Sequence, residues 1–451
     1  MAKIGLEIHG YIETKEKLFC DCPSDHGKKD ARPNTNICPV CTGQPGSKPL
    51  MPNYEAIKKA VQIALLLKCK INEKMPWQRK HYSWPDLPKG FQSTFSGSHA
   101  IPNGENGEFM GIKIRECHLE EDPAAWNPDT GEVDYNRSGS PLIEIVTEPD
   151  FKESEEVAQW VKNLIVALSY IKAIDKKSGI KADVNVSIPG GKRVEMKNIN
   201  SVKKIKEAID IEIERQKKEV PEIEETRMYD ERSKTTKIMR TKEGAQDYRF
   251  ITDPDLPVVS LSKEEILKIK DSIPETPQEK LQKLIRIHEI DKKTAEILTK
   301  KIEIVEFFEE VTKKIPAEFA LPWVTVELLG TLNYNKKELD DVEIEPEHFI
   351  ELLKAVRERK ITELRAKDIL RSWIPKSYSP QKEIRKSSKI EDKDEILTLA
   401  KKVIIENKKA VEDFRQGDNN TMNFLIGQVM KLSNKRADYK TAKETLEKLM
   451  R

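Results

Sequence analysis

The 451 residues suffice for two to four domains with substantial cores. Charged residues make up 35% of the chain, but 79 Lys+Arg against 77 Asp+Glu leave a net charge of only +2, which excludes a uniformly basic nucleic-acid coat. No apolar run reaches the roughly 20 residues that span a bilayer, and Met1-Ala-Lys-Ile leads directly into a strand pattern without a signal segment, so a cytoplasmic protein with no membrane partner is expected.

The first strand pattern places Glu7 and His9 on one face and Ile4, Leu6 and Ile8 on the other. Next come Cys20-x-Cys22 and, after fifteen residues, Cys38-Pro-Val-Cys41-Thr-Gly43. Two close pairs at this separation give four thiolates that can meet tetrahedrally, and the second pair has the Pro and Gly of a knuckle turn, so a structural Zn²⁺ site is predicted. A disulfide is the weaker alternative in a reducing compartment. Buried apolar roles suffice for Cys69 and Cys117.

Asn53 to Lys68 carries Ile57, Ala60, Val61, Ala64 and Leu65 at helical spacing, a core stripe. Arg79 to Gln92 is too rich in Pro and Gly for regular structure and reads as an ordered loop presenting Arg79, Lys80 and Lys89 beside Tyr82 and Trp84. Such a loop suits a phosphate and a flat base.

Residues 92 to 150 read as short strands, with turns at Asn103-Gly104 and Asp129-Thr-Gly131. Within them lie His118-Leu-Glu-Glu-Asp122, Asp134-Tyr-Asn-Arg137 and Pro141-Leu-Ile-Glu-Ile-Val-Thr-Glu148. A strand through Leu142 to Glu148 puts Glu144 and Glu148 on one face and Ile143 and Ile145 on the other. Hard oxygen ligands with one imidazole suit Mg²⁺ or Mn²⁺. The solvated face of a half-buried sheet alternates in the same way, so alternation alone does not establish a metal site. Glu120 and Glu121 point to opposite faces, and spacing does not choose between them.

A helix starting at Ser154 carries Val157, Trp160, Val161, Leu164, Ile165 and Leu168. Ile180 to Ile188 alternates, aligning Lys181, Asp183, Asn185 and Ser187, and Pro189-Gly-Gly191 turns the chain into Arg193-Val-Glu-Met-Lys197. For both polar sets to share a face, Asp183 must oppose Lys197 and Asn185 must oppose Glu195. Asn198-Ile-Asn-Ser201 then caps a helix through Val202, Ile205, Ile209 and Ile213.

Beyond Pro274 helices are predicted at Glu275 to Glu289, Lys293 to Lys314, Pro316 to Asn333 and Glu347 to Glu358, with a hinge from Trp373 to Glu391 and a last helical unit after it. Residues 376–451 hold 18 Lys+Arg against 12 Asp+Glu, so the tail is the basic end. The fold expected is α+β: a β-rich antiparallel cradle domain over 1–273 with the four-cysteine site at 20–41, an all-α domain over 274–375, and a basic helical tail over 376–451.

With these residues in place the chain resembles the B subunits of the tRNA-dependent amidotransferases, which convert misacylated Asp-tRNA(Asn) or Glu-tRNA(Gln) to the amide. The resemblance covers nearly the whole length. It rests on Gly5-Leu-Glu-Ile-His9, Lys17-Leu-Phe-Cys20, Pro33-Asn-Thr-Asn36, Pro85-Asp-Leu-Pro-Lys-Gly90, His118-Leu-Glu-Glu-Asp122, Asp134-Tyr-Asn-Arg-Ser-Gly139, Pro141-Leu-Ile-Glu144, Glu148-Pro-Asp150, Asn198-Ile-Asn-Ser201, Glu225-Thr-Arg227, Asp247-Tyr-Arg249 and Asp253-Pro-Asp-Leu-Pro257. In the tail it adds Ala410-Val-Glu-Asp-Phe-Arg-Gln-Gly417 and Phe424-Leu-Ile-Gly-Gln-Val-Met430. The chain departs from the family pattern at His81, Trp84, Pro123, Ala182 and Val202.

The resemblance implies a ligase that uses ATP and Mg²⁺ to phosphorylate the side-chain carboxylate of the esterified amino acid, after which ammonia displaces the phosphate. It assigns Glu7, His9, Glu121 and Glu144 to catalysis and Glu7, His9, Glu120 or Glu121, Glu144 and Glu148 to Mg²⁺. Lys80, Tyr82, Lys89, Asp183, Asn185, Ser187, Lys197 and Asn198 are assigned to ATP, and Cys20, Cys22, Cys38 and Cys41 hold Zn²⁺. The implied partners are an amidase A subunit and a small C subunit in a heterotrimer, ammonia arriving through an intersubunit tunnel, and a misacylated tRNA on the tail.

The residues agree on two negatives. The chain has no Gly-x4-Gly-Lys-Ser/Thr loop for a Walker-type phosphate site, and no Ser-rich amidase stretch with which to hydrolyse glutamine itself. The related archaeal E subunit carries a large extra domain after the cradle, for which Asp253-Pro-Asp-Leu-Pro257 leaves no room. A non-catalytic zinc-ribbon RNA binder would account for the cysteines and the basic tail but leaves Glu7, His9 and Glu144 without a purpose.

Overall fold

A computed structural model describes residues 1–24, 31–175, 179–241, 248–386, 393–415, 420–433 and 436–450. The chain divides into two compact units, Met1–Thr276 and Pro277–Arg451.

The first unit is built on a twelve-stranded sheet. Its strands include β1 (Lys3–Tyr11), β2 (Gln78–His81), β3 (Gln92–Thr94), β4 (Ile112–Glu121), β5 (Pro141–Thr147), β6 (Ile180–Ser187), β7 (Val194–Ile199), β8 (Glu225–Asp230), β9 (Thr235–Thr241) and β10 (Arg249–Thr252). They lie in the order β9-β8-β7-β6-β1-β5-β4-β3-β2-β10, so β1, first in sequence, is central in space. The strand Gly104–Phe109 branches onto β4.

The β-rich antiparallel cradle expected contains one parallel pair. β7 and β8 are parallel, because a helix crosses over between them instead of a hairpin. That helix is α3, the third of α1 (Tyr54–Leu66), α2 (Ser154–Tyr170) and α3 (Val202–Lys218). The Asn53 side chain caps α1 by accepting from the N–H groups of Glu55 and Ala56, and Ser201 caps α3 by accepting from Lys204.

Alternation decides which face of the sheet is covered. Ile4, Leu6 and Ile8 of β1, Cys117 and Leu119 of β4, Ile143 and Ile145 of β5, and Ala182, Val184 and Val186 of β6 form one buried cluster. The inward stripes of the three helices close it, with Val61, Val157, Trp160, Leu164, Ile205 and Ile209. The central strands thus present their polar residues on the face away from this cluster.

Register in the β6–β7 hairpin is as required for a shared polar face at Asn185↔Glu195, then shifts by one residue between Val184↔Met196 and Ala182↔Ile199. The bulge puts Asn198 at φ 58° and aims its N–H at Asp183 Oδ1, 2.7 Å away. A second bulge lies in β4, where Glu116 pairs with Val146 and Ile114 with Thr147, so that Arg115 is the extra residue and the core side of the strand passes from Ile112 and Ile114 to Cys117 and Leu119.

The second unit is helical, with Pro277–His288, Pro346–Arg357 and Glu363–Arg371 among its elements. The single helix expected over 293–314 is two, Lys292–Leu298 and Ile302–Thr312. The break falls where the Thr299 hydroxyl bonds back to the Ala295 carbonyl and closes the first helix. Trp373, expected in a hinge, is fully buried, and Ser377 donates its N–H to Glu343 O, so this end of the segment is anchored. Residues 387–391 of that hinge lie outside the described residues, as do Asp247, Gln416 and Gly417 of the motifs quoted above. The tail helices enclose their own core of Ile396, Ala400, Val403, Leu425, Val429 and Leu446.

Candidate functional site

The strand register builds the site row by row. Lys181 of β6 opposes His9 of β1, His9 opposes Glu144 of β5, and Glu144 opposes His118 of β4. One row away, Asp183 opposes Glu7 and Glu7 opposes Val146. On the other side Leu142 opposes Glu120, which in turn opposes Thr94 of β3. Directly opposed residues emerge on one face, so acids and imidazoles that are far apart in sequence converge.

His9 Nε2 lies 3.3 Å from Glu144 Oε2, and His118 Nε2 lies 3.2 Å from the same oxygen. His118 Nδ1 is 3.1 Å from Glu116 Oε1, in ion-pair range but without the alignment of a hydrogen bond. Burial works against a charged imidazole, yet the Glu144 carboxylate outweighs it and pushes His9 up to about 9 and His118 up to about 10. Burial likewise opposes ionisation of Glu144, but the two imidazoles hold it well below the usual carboxylate range. Glu120, buried and close to Glu144, is raised, chiefly by desolvation.

Two sets of residues here can hold a divalent cation. His9, Glu120 and Glu144 offer ligand atoms all within 4.8 Å of one another, and so do Glu7, Asp183 and Glu195. The first set passes a further test: Glu120 Oε2 is buried with no hydrogen-bond partner, the His118 Nε2 at 3.9 Å being too far to donate, so it keeps a lone pair for a ligand. Carboxylates with one imidazole match a hard or borderline cation such as Mg²⁺ or Mn²⁺. In the second set Lys197 already sits 2.6 Å from Asp183 and 2.7 Å from Glu195, while Asn185 Nδ2 donates to Glu7 Oε1 at 3.1 Å. A cation there would have to share its acids with an ammonium.

Other residues assigned from the sequence divide between the two faces. Lys80 turns its ammonium over the Tyr248 ring, 4.9 Å from its centre, and Tyr82 meets the same ring edge-on. Burial disfavours the Lys80 charge, but Glu120 and Glu144 raise it above the ordinary lysine value. Ser187 opposes Lys3 toward the end of β6. Lys89 is placed elsewhere, paired at 2.5 Å with Glu121, whose carboxylate also accepts from the N–H of Ser93. Glu121 therefore does not join the cluster; odd and even positions of β4 face opposite ways, and Glu120 takes the site face. Glu148 does not join either: it lies past the end of β5 and pairs with Arg115, the extra residue of the β4 bulge.

Sequence reasoning left out His118, Glu116 and Glu195 as site residues. The available signal was parity, since 116, 118 and 120 share a strand face. It also left out Arg137, which donates to Asp122 at 2.8 Å and to the Pro123 carbonyl at 3.0 Å beside the cluster.

The four cysteines 20, 22, 38 and 41 are free thiols with their sulfurs mutually within 4.8 Å, the geometry of a closed tetrahedral site. The Cys38 N–H points at Cys41 Sγ from 3.2 Å. Thiolate sulfurs at such spacing suit Zn²⁺.

Two family models match the chain: the GatB/GatE catalytic domain over residues 2–267 and the GatB domain over 306–450. Among similar proteins, the B subunit of the aspartyl/glutamyl-tRNA(Asn/Gln) amidotransferase from Methanopyrus kandleri is 44% identical over 97% of this chain and 96% of its own length. Proteins of the same name from Methanobrevibacter smithii (43%, 98% of this chain and 99% of the relative) and Methanocaldococcus jannaschii (42%, 99% and 97%) are similar throughout. With both of its units matched and its whole length shared with these relatives, the chain belongs to the GatB family of tRNA-dependent amidotransferase proteins.

Proposed function

We propose that this chain activates the side-chain carboxylate of Asp or Glu esterified to tRNA(Asn) or tRNA(Gln) by ATP-dependent phosphorylation, and that the cluster on the polar sheet face is where this happens. A carboxylate is a poor electrophile without a leaving group, and conversion to an acyl phosphate supplies one. Ammonia then forms the C–N bond as phosphate departs. The observation that carries the reading is the convergence of His9, Glu120 and Glu144, with the buried Glu120 Oε2 making no hydrogen bond.

His9, Glu120 and Glu144 would hold the divalent cation, and Glu7, Asp183 and Glu195 offer a second position. Mg²⁺ bound there would offset the charge that gathers around the γ-phosphoryl group. Lys80 and Tyr82 reach the same face and are suited to the nucleotide, while Lys197 fixes Asp183 and Glu195. Lys89, Glu121 and Glu148, which point elsewhere, are not included. Four thiolates at 20, 22, 38 and 41 would hold a structural Zn²⁺.

Ammonia must come from a partner, an amidase A subunit with a small C subunit delivering it through a tunnel, since this chain carries no amidase signature. The basic tail over 376–451 is the natural tRNA contact, because phosphates are bound by Lys and Arg. The test is ATP consumption that requires both Mg²⁺ and misacylated tRNA. Glu144→Ala should reduce it at least about 100-fold while leaving tRNA affinity within about threefold. Equal loss of both would make Glu144 a framework residue.

A further inference from the structure

Around the cluster most basic side chains are matched by acids. Lys197 lies on Asp183 and Glu195, Arg137 on Asp122, and His9 and His118 on Glu144. Two half-buried lysines, Lys80 and Lys181, have no hydrogen bond or ion pair among the described residues. Lys80 at least faces the Tyr248 ring and feels Glu120 and Glu144. Lys181 feels Asp122 and Asp183 at a distance but touches neither, and it stands directly opposite His9 in the register.

The acids that could serve it are already engaged. Asp183, two residues on and on the same face, accepts from Lys197 Nζ and from the Asn198 N–H at 2.7 Å. Asp122 is held by both Nε and Nη2 of Arg137, and Arg137 itself adds a like charge near Lys181. Ile180 and Ala182 on either side point into the core, which fixes Lys181 toward the site face. A half-buried ammonium with no acid in direct contact is costly unless something arriving from outside supplies one.

We propose that Lys181 is an anion-receiving residue of this site. It meets an anionic oxygen group from the flank of His9 opposite Glu144, so that the group lies between a flexible ammonium and the cation cluster. The proposal rests on the reading above, in which two such groups come to this face: the side-chain carboxylate of the aminoacyl moiety and the terminal phosphate of ATP. Three rotatable donors on a four-carbon stem suit either.

The test uses the complete complex with Lys181→Met, which keeps length and removes charge, and Lys181→Arg, which restores it. One arm measures binding of a non-hydrolysable ATP analogue with Mn²⁺. The other measures the preference for Asp-tRNA over Asn-tRNA, which differ only by carboxylate against amide. Lys181→Met should weaken one of the two by roughly ten- to hundred-fold, and Lys181→Arg should recover most of it. Loss in the first arm identifies the phosphate, and loss in the second identifies the carboxylate.

Unchanged values in both arms overturn the proposal, as does a parallel loss of Mn²⁺ and deacylated-tRNA binding, which would mark a framework lysine. If the unsubstituted complex itself binds neither the analogue nor Asp-tRNA in preference to Asn-tRNA, the phosphorylation reading fails first.

Discussion

At the scale of single residues, the site is defined by how one carboxylate is shared. Glu144 lies between two imidazoles at 3.3 and 3.2 Å, and this raises His9 to about 9. A histidine whose folded value lies above its unfolded value of about 6.5 contributes stability that is complete below that value and is lost as pH climbs through 9. In chelator, therefore, the stability difference between the unsubstituted chain and His9→Asn should shrink between pH 6.5 and 9.5, measured by urea unfolding. Over the same window Mn²⁺ affinity should rise, because a metal-binding imidazole must first give up its proton. Affinity that is flat or falling with pH, read by titration calorimetry, would remove His9 from the ligand set.

At the scale of elements, the four-cysteine knuckle is joined to the loops around the site. Ser138 Oγ donates to the Cys41 carbonyl, Leu18 donates to the Gly139 carbonyl, and the buried Lys17 ammonium reaches the carbonyls of Asn36 and Tyr135. Gly43 is the tightest point. It sits at φ +63°, and a Cβ there would lie 2.2 Å from the Pro88 carbonyl oxygen in the Pro85–Gly90 loop. Gly43→Ala should cost about 2–3 kcal/mol, seen as a lower unfolding midpoint, because it combines left-handed strain with a backbone clash. The matched control Gly46→Ala meets nothing within 4 Å and should cost less, although its φ is also positive. Equal losses would mean that strain alone acts and that the knuckle does not bear on the loop.

At the scale of the whole molecule, charge is segregated along a nearly neutral chain. The last 76 residues carry the basic excess and enclose a core of their own. Within the helical unit a cavity of about 980 Å³ is lined by Arg357, Arg359 and Lys367 on one side and by Lys431 and Tyr439 on the other. The sheet-face cluster needs no such enclosure, because its ligands stand side by side on adjacent strands. Removing residues 393–451, which leaves Trp373 and the Ser377 anchor in place, should weaken tRNA binding and flatten its dependence on salt. An unaltered slope of log affinity against log salt would take the tail out of the tRNA contact. No helix among the described residues is long and apolar enough to cross a membrane.

Much of this was legible in the linear chain, because it depends on period and spacing alone. Alternation told Glu7 and His9 from Ile4, Leu6 and Ile8 and paired Asn185 with Glu195, and the spacing of two close pairs brought four cysteines within reach of one another. Which elements lie beside each other was decided only in three dimensions: β1 became central because β5 and β6 hydrogen-bond to its two edges, and that placed His9 between Lys181 and Glu144. Phase at a bulge was likewise beyond a periodic reading. One extra residue, Arg115, flipped the core side of β4 between Ile114 and Cys117 and put a guanidinium beside Glu148, while regular alternation after it set Glu120 on the site face and Glu121 on the other. The physical reason is common to both: side-chain direction within a strand is a local property of the backbone, whereas neighbours and register shifts are settled by how distant segments pair to bury a single core.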